Sequence, residues 1–202
     1  MITEMDLIAF SKERTLIFDL DDTIYDEKLF LFGAYKEISK QIGGMADVAE
    51  RDVYSFLVNN FLISGREYLF DKLLINFKIK NNFIKDTCLQ VLRTYCQPEA
   101  ISPFPYFLIL LENTPFDGAK FFIITNGNVN QQKNKMLSLN LTNHRERLIT
   151  YYANEYKPKP HRNVFDVLSS EFSLFNPIYI GDSDVDRNFA VSCGIRARLK
   201  SI

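Results

Sequence analysis

Thr15-Leu-Ile-Phe-Asp-Leu-Asp-Asp-Thr23 is an apolar run that ends abruptly in acid. A short continuous apolar run fits a strand buried on both faces, as in a parallel sheet. Strand side chains two apart point the same way, so Asp19 and Asp21 can face one site while Leu20 turns into the core. Three further runs share this character: Phe121-Phe-Ile-Ile124, Leu148-Ile-Thr-Tyr-Tyr152 and Ile178-Tyr-Ile180. A weaker fifth follows Gly194, at Ile195 to Leu199. Helix-length segments separate the later runs: Val129 to Leu139, Val164 to Glu171 and Arg187 to Cys193. Strands alternating with helices predict a Rossmann-like, doubly wound α/β domain with a parallel sheet.

The spacing of the runs is uneven. More than 100 residues separate the first from the second, whereas a βαβ unit needs only about 30. The intervening segment therefore reads as an insert with a helical pattern. Phe30, Ala34, Ile38 and Ile42 share one helix face, and Val53, Phe56, Leu57 and Phe61 another. Gly43-Gly44 and Ser64-Gly65 read as breaks between helices. Pro98, Pro103 and Pro105 mark the return linker. The expected organisation is a core of residues 1–26 and 98–202 with a helical cap at 27–97.

Composition narrows the function classes. With 24 basic residues against 25 acidic, no whole-surface attraction to nucleic acid or to an anionic membrane is expected. Cys88, Cys96 and Cys193 are an odd count without metal-site spacing, which predicts reduced thiols in a cytoplasmic protein. The opening residues lack the apolar run and cleavage site of a secretory signal. Of the two histidines, His144 and His161, the second sits beside Pro160 and reads as a solvated loop histidine ahead of a substrate contact. Arg66, Tyr68 and Lys72 could reach a substrate from the insert, but their spacing also fits an ordinary helix surface; Arg196, Arg198 and Lys200 read as a small basic, solvated face.

Three strands end in polar residues at their carboxyl ends. The first runs into Asp19-Leu-Asp-Asp-Thr23, the second into Thr125-Asn-Gly127, the fourth into Gly181-Asp-Ser-Asp-Val-Asp186. In open α/β sheets the ligand crevice lies outside those ends. Taken singly, each piece is an ordinary cap or turn; their joint placement points to a site.

Together they resemble the haloacid dehalogenase-like superfamily. Phe18-Asp-Leu-Asp-Asp-Thr23 resembles its first motif, and Ile123-Ile-Thr-Asn-Gly127 its second. Lys157-Pro-Lys-Pro160, followed by Phe165, resembles the third, with Lys157 in the lysine role. Gly181-Asp-Ser-Asp-Val-Asp186 resembles the fourth, an acidic pair. Pro103-Phe-Pro105 to Asn128, with Gln131-Gln132-Lys133, is similar to the subgroup with a helical cap after the first motif. The resemblance implies that Asp19 is a nucleophile forming an aspartyl-phosphate and Asp21 a general acid and base. It implies that Thr125, Asn126 and Lys157 bind the phosphoryl group. Mg²⁺ would be held by the Asp19 carboxylate, the Asp21 backbone carbonyl and Asp182, with Thr23 and Asp186 in support.

The chemistry of the residues agrees. A carboxylate nucleophile and a phosphate dianion repel each other, so a divalent cation must neutralise charge between them. Hard carboxylate oxygens suit Mg²⁺. The expected activity is hydrolysis of a small phosphomonoester, a sugar phosphate or nucleoside monophosphate. The expected partner is that small phosphorylated metabolite, with no nucleic acid and no membrane, and the protein a monomer or weak homodimer. A phosphomutase shares all four motifs. A non-enzymatic phosphoryl-accepting domain is shorter and lacks the insert.

Overall fold

The computed structural model describes residues 15–81, 83–114 and 121–199. The opening segment 1–14 and Lys200 lie outside them. The chain divides into two compact units. One contains residues 15–27, 100–114, 121–132 and 139–199, the other residues 28–81, 83–99 and 133–138.

The first unit is built on five parallel strands: β1 (Leu16–Phe18), β2 (Phe121–Thr125), β3 (Leu148–Tyr152), β4 (Ile178–Gly181) and β5 (Arg196–Leu199). Their spatial order is β3-β2-β1-β4-β5. This is the doubly wound α/β sheet that the apolar runs predict. Every residue of β1, β2 and β4 is buried, which is why their sequences carry no polar alternation. Residue period two sorts the two faces. Ile17, Phe122, Ile124 and Tyr179 pack in one cluster with Val164, Phe165, Leu168, Phe189 and Ala190. Phe18 meets Phe107 edge-on at 5.1 Å and lies 6.2 Å from Phe121. β5 sits at the sheet edge with Arg196 exposed, and a charged edge strand resists pairing with another chain.

The second unit contains α1 (Glu27–Ala46) from Lys28 onward, α2 (Glu50–Ser64), α3 (Leu69–Asn76) and α4 (Phe83–Thr94). Phe30, Ala34, Ile38 and Ile42 are all fully buried along α1, as their spacing predicts. The break expected at Gly43-Gly44 is absent. α1 runs through both glycines to Ala46, and the chain turns at Asp47, whose φ is 52°. Gly43 serves close approach instead: a Cβ there would lie 2.7 Å from Glu50 Cγ and 3.2 Å from the Val48 carbonyl. Gly65, at φ 69°, does end α2 as predicted. Among the described residues no helix is long and apolar enough to cross a membrane.

The described residues also form the α-helices α5 (Pro105–Asn113), α6 (Val129–Ser138), α7 (Asn163–Glu171) and α8 (Asp184–Cys193). Pro105 opens α5 at a position where its missing N–H costs nothing.

Candidate active site

The strand order reverses between β1 and β4, each of which flanks the switch point where open α/β sheets bind ligands. Asp19 follows β1 and Asp182 follows β4. Carboxylate oxygens of Asp19, Asp182 and Asp186 all lie within 4.8 Å of one another.

Asp186 is placed by its own motif. Ser183 is the N-cap of α8, and its Oγ accepts the Asp186 N–H at 3.3 Å. Asp186 reaches back to accept from the Ser183 N–H at 3.2 Å and the Ser183 hydroxyl at 2.6 Å, both through Oδ2. This reciprocal box satisfies the orphan donors of a helix start. It leaves Oδ1 to accept from a different donor, the Lys159 ammonium at 2.6 Å. Gly181 makes room for this arrangement: a Cβ there would lie 2.5 Å from Asp186 Cβ and Cγ. Gly181→Ala must therefore displace the carboxylate. We expect it to lower turnover by about 10²-fold, the usual consequence of misplacing an active-site group by about an ångström. Steady-state kinetics on any accepted substrate checks this.

The lysine at the site is Lys159, not Lys157. Its Nζ donates to Asp19 Oδ1 at 2.6 Å, to Asp186 Oδ1 at 2.6 Å and to the Tyr179 hydroxyl at 2.7 Å. An ammonium has three N–H groups, and all three are used. Lys157 is exposed. Asn126 decides between the two lysines. Its Oδ1 accepts the Lys159 backbone N–H at 2.8 Å, and its Nδ2 donates to the Lys159 carbonyl at 3.0 Å. That double clamp fixes the loop with residue 159 facing inward. The Asn126 side chain, expected at the phosphoryl group, is thus turned to the loop that carries the lysine. Thr125 is buried at the end of β2, its hydroxyl in a long 3.4 Å contact with the Asn126 carbonyl.

The electrostatics follow from burial. Desolvation pushes the Asp19 carboxyl up to about 7, against the pull of Lys159 and with the help of Asp186 and Asp21. Burial also acts to raise Asp186, yet Lys159 and Ser183 hold it below the ordinary carboxylate range. Burial acts to lower the Lys159 pKa, but Asp19 and Asp186 raise it above the usual value. Asp182, partly exposed, is raised by desolvation and by Asp186 and Asp22.

This crowding of acid suits a cation. Both Asp186 oxygens are already engaged, by Lys159 and by the start of α8. Asp19 and Asp182 are therefore the carboxylates best placed to hold a divalent metal. The Asp21 side chain has partners of its own: Oδ1 accepts from the Tyr25 hydroxyl at 2.8 Å and Oδ2 from Gln132 Nε2 at 3.2 Å. Thr23 is fully buried. Its carbonyl accepts from the Tyr106 hydroxyl, and its own hydroxyl has no hydrogen-bond partner among the described residues. His161, Arg66 and Tyr68 are exposed.

Sequence reasoning missed Lys159, Tyr179, Ser183 and Tyr25 as site residues, and gave Gln132 no role. Two signals were available. A tyrosine inside a fully buried strand requires a polar partner for its hydroxyl. Ser183 three residues before Asp186 is a capping-box spacing.

The sequence profile described as haloacid dehalogenase-like hydrolase matches residues 16–199. No curated protein sequence matches the chain. CbbY from Rhodobacter sphaeroides, solved in complex with xylulose-(1,5)bisphosphate, has TM-score 0.60 at 14% identity, covering 94% of this chain and 86% of that one. YfnB from Bacillus subtilis, described as a HAD-hydrolase bound to magnesium, has TM-score 0.57 at 16% identity, covering 91% and 85%. A hydrolase from Streptococcus pneumoniae TIGR4 has TM-score 0.55 at 16% identity and covers 94% of both chains. At these identities the likeness is one of fold.

Proposed function

The chain belongs to the haloacid dehalogenase-like hydrolases, and from its site we propose that it is a Mg²⁺-dependent phosphatase acting on a small phosphomonoester. One observation carries this reading. Asp19 lies beside a lysine and two further carboxylates at the switch point of the sheet. A lone carboxylate cannot approach a phosphate dianion, whereas one flanked by a cation and a cation-binding acid pair can. Mg²⁺ bound by Asp19 and Asp182 would neutralise charge between nucleophile and phosphate.

Asp19 attacks phosphorus, the bond to the ester oxygen breaks, and an aspartyl-phosphate forms. Asp21 gives a proton to the departing oxygen. Asp21, now ionised, takes a proton from the water that attacks the aspartyl-phosphate. Inorganic phosphate leaves and Asp19 is regenerated. Thr125 offers its hydroxyl to the phosphoryl oxygens. Lys159 binds Asp19 and Asp186 at once, which holds the nucleophile's free rotation in check and balances its charge. The helical unit is proposed as the cap that selects the substrate.

Phosphate release from a panel of sugar phosphates and nucleoside monophosphates tests the proposal. Turnover is expected with Mg²⁺ and is expected to vanish with excess chelator, then to return on adding the ion. Full activity in chelator overturns the metal assignment. A panel without any phosphate release overturns the phosphatase.

A further inference from the structure

We propose that Tyr25 and Gln132 are a pair of positioning residues that grip the Asp21 carboxylate from both sides and so set its proton-transfer geometry. The inference rests on the phosphatase reading, in which Asp21 is the acid and base.

The grip comes from two distant parts of the chain. After β1 the chain curls tightly. Asp22 has φ 52°, the Ile24 N–H donates to the Leu20 carbonyl at 2.9 Å, and residues 21 and 25 pair as an isolated bridge. That curl returns the Tyr25 hydroxyl to Asp21 Oδ1 at 2.8 Å. Gln132 comes from α6, and its Nε2 donates to Asp21 Oδ2 at 3.2 Å and to the Asn126 carbonyl at 2.9 Å. Both neighbours are acceptors, so the amide must present its NH₂ to them; the flipped amide would set oxygen against oxygen. Gln132 Oε1 is left buried without a hydrogen-bond partner among the described residues.

Two features show that packing alone does not explain these side chains. Tyr25 is fully buried and Gln132 is 2% exposed. Phenylalanine and methionine would fill the same space without a polar group to satisfy. The backbone also yields to Gln132: Gly127 has φ 122°, and a Cβ there would lie 2.7 Å from Gln132 Nε2. Each carboxylate oxygen of Asp21 thus has its own buried donor. A carboxylate held at both oxygens keeps one rotamer, and proton transfer depends steeply on that orientation.

The test separates proton transfer from the rest of the reaction. Tyr25→Phe and Gln132→Met are compared with the parent on p-nitrophenyl phosphate and on an alkyl phosphate that the parent hydrolyses. Nitrophenolate leaves without a proton, so phospho-enzyme formation from it should stay within about threefold of the parent. The alkyl ester needs the proton, and its phospho-enzyme formation should slow by about 10- to 100-fold, part of the usual worth of general acid–base help. Dephosphorylation should slow with both substrates, so the label accumulates on Asp19. In an Asp21→Asn background Tyr25→Phe should cost nothing further, because the group it positions is gone. Equal slowing of phospho-enzyme formation from both esters, or an undiminished cost in the Asp21→Asn background, overturns the positioning role. Tyr25→Phe removes one oxygen only, so a Gln132→Met variant that fails to fold leaves the comparison intact. A parent that never carries phosphate on Asp19 overturns the phosphatase reading and this inference together.

Discussion

Lys159→Met abolishes turnover and loosens the fold, whereas Lys157→Met does neither: that is the expected result of exchanging the two lysines of Lys157-Pro-Lys-Pro160 in turn. Lys159 neutralises two carboxylates in a buried setting, with side chains 3%, 10% and 2% exposed for Lys159, Asp19 and Asp186. Removing one partner of a buried ion pair strands the others, at a cost of about 3–5 kcal/mol. The thermal midpoint near neutral pH should fall accordingly. Activity should fall by at least about 10³-fold, since the proposed nucleophile without its orienting partner loses both charge balance and position. Lys157 is exposed, and surface substitutions usually stay within about 0.5 kcal/mol. Thermal unfolding and kcat/KM of the two variants decide the matter. The assignment to Lys159 fails if Lys157→Met is the variant that loses activity.

That pair of lysines shows where sequence reading stops. The sheet was legible because its strands are buried on both faces. Phe121 to Ile124 and Ile178 to Ile180 had to be continuous apolar runs, and β2 and β4 fall on them. The acids were legible for a related reason, since a strand that ends in Asp exposes chemistry at the crevice. Lys157 and Lys159 are each followed by proline, and nothing local distinguishes them. The choice is made by Asn126, 33 residues earlier, through two backbone hydrogen bonds to residue 159. Gln132 reaches Asp21 across 111 residues, a contact that no periodicity encodes. Gly43-Gly44 failed as a break for a like reason. Helix propensity counts a glycine pair as a loss of about 2 kcal/mol, but the close approach of Glu50 to Gly43 is a tertiary matter.

Asp19→Asn separates catalysis from stability. On the proposed mechanism the variant lacks its nucleophile, so no phospho-enzyme should form with any ester. Turnover should fall by about 10⁴-fold or more, the scale on which nucleophile deletions act. In the metal-free protein the same change should stabilise the fold at neutral pH. Burial holds the Asp19 carboxyl at about 7, against 3.8 in its ordinary state. Between those values the unfolded chain has released the proton and the folded chain retains it. Stability is therefore lost as pH rises from about 4, and the loss levels off above about 7. Asparagine cannot ionise and escapes that loss. Each unit of displacement is worth about 1.4 kcal/mol, and Lys159 forfeits one counter-charge while keeping Asp186, so a net gain of about 1–3 kcal/mol is expected at pH 8. The gain should shrink toward pH 5. Thermal unfolding in chelator across that range measures it, alongside acid-quenched labelling with a radioactive ester. A parent protein more stable than Asp19→Asn at pH 8, without metal, would mean that the Asp19 carboxylate is not strained. A label surviving in the variant would place the nucleophile elsewhere. If both expectations hold, the acid cluster is a site maintained at the expense of stability, as active sites commonly are.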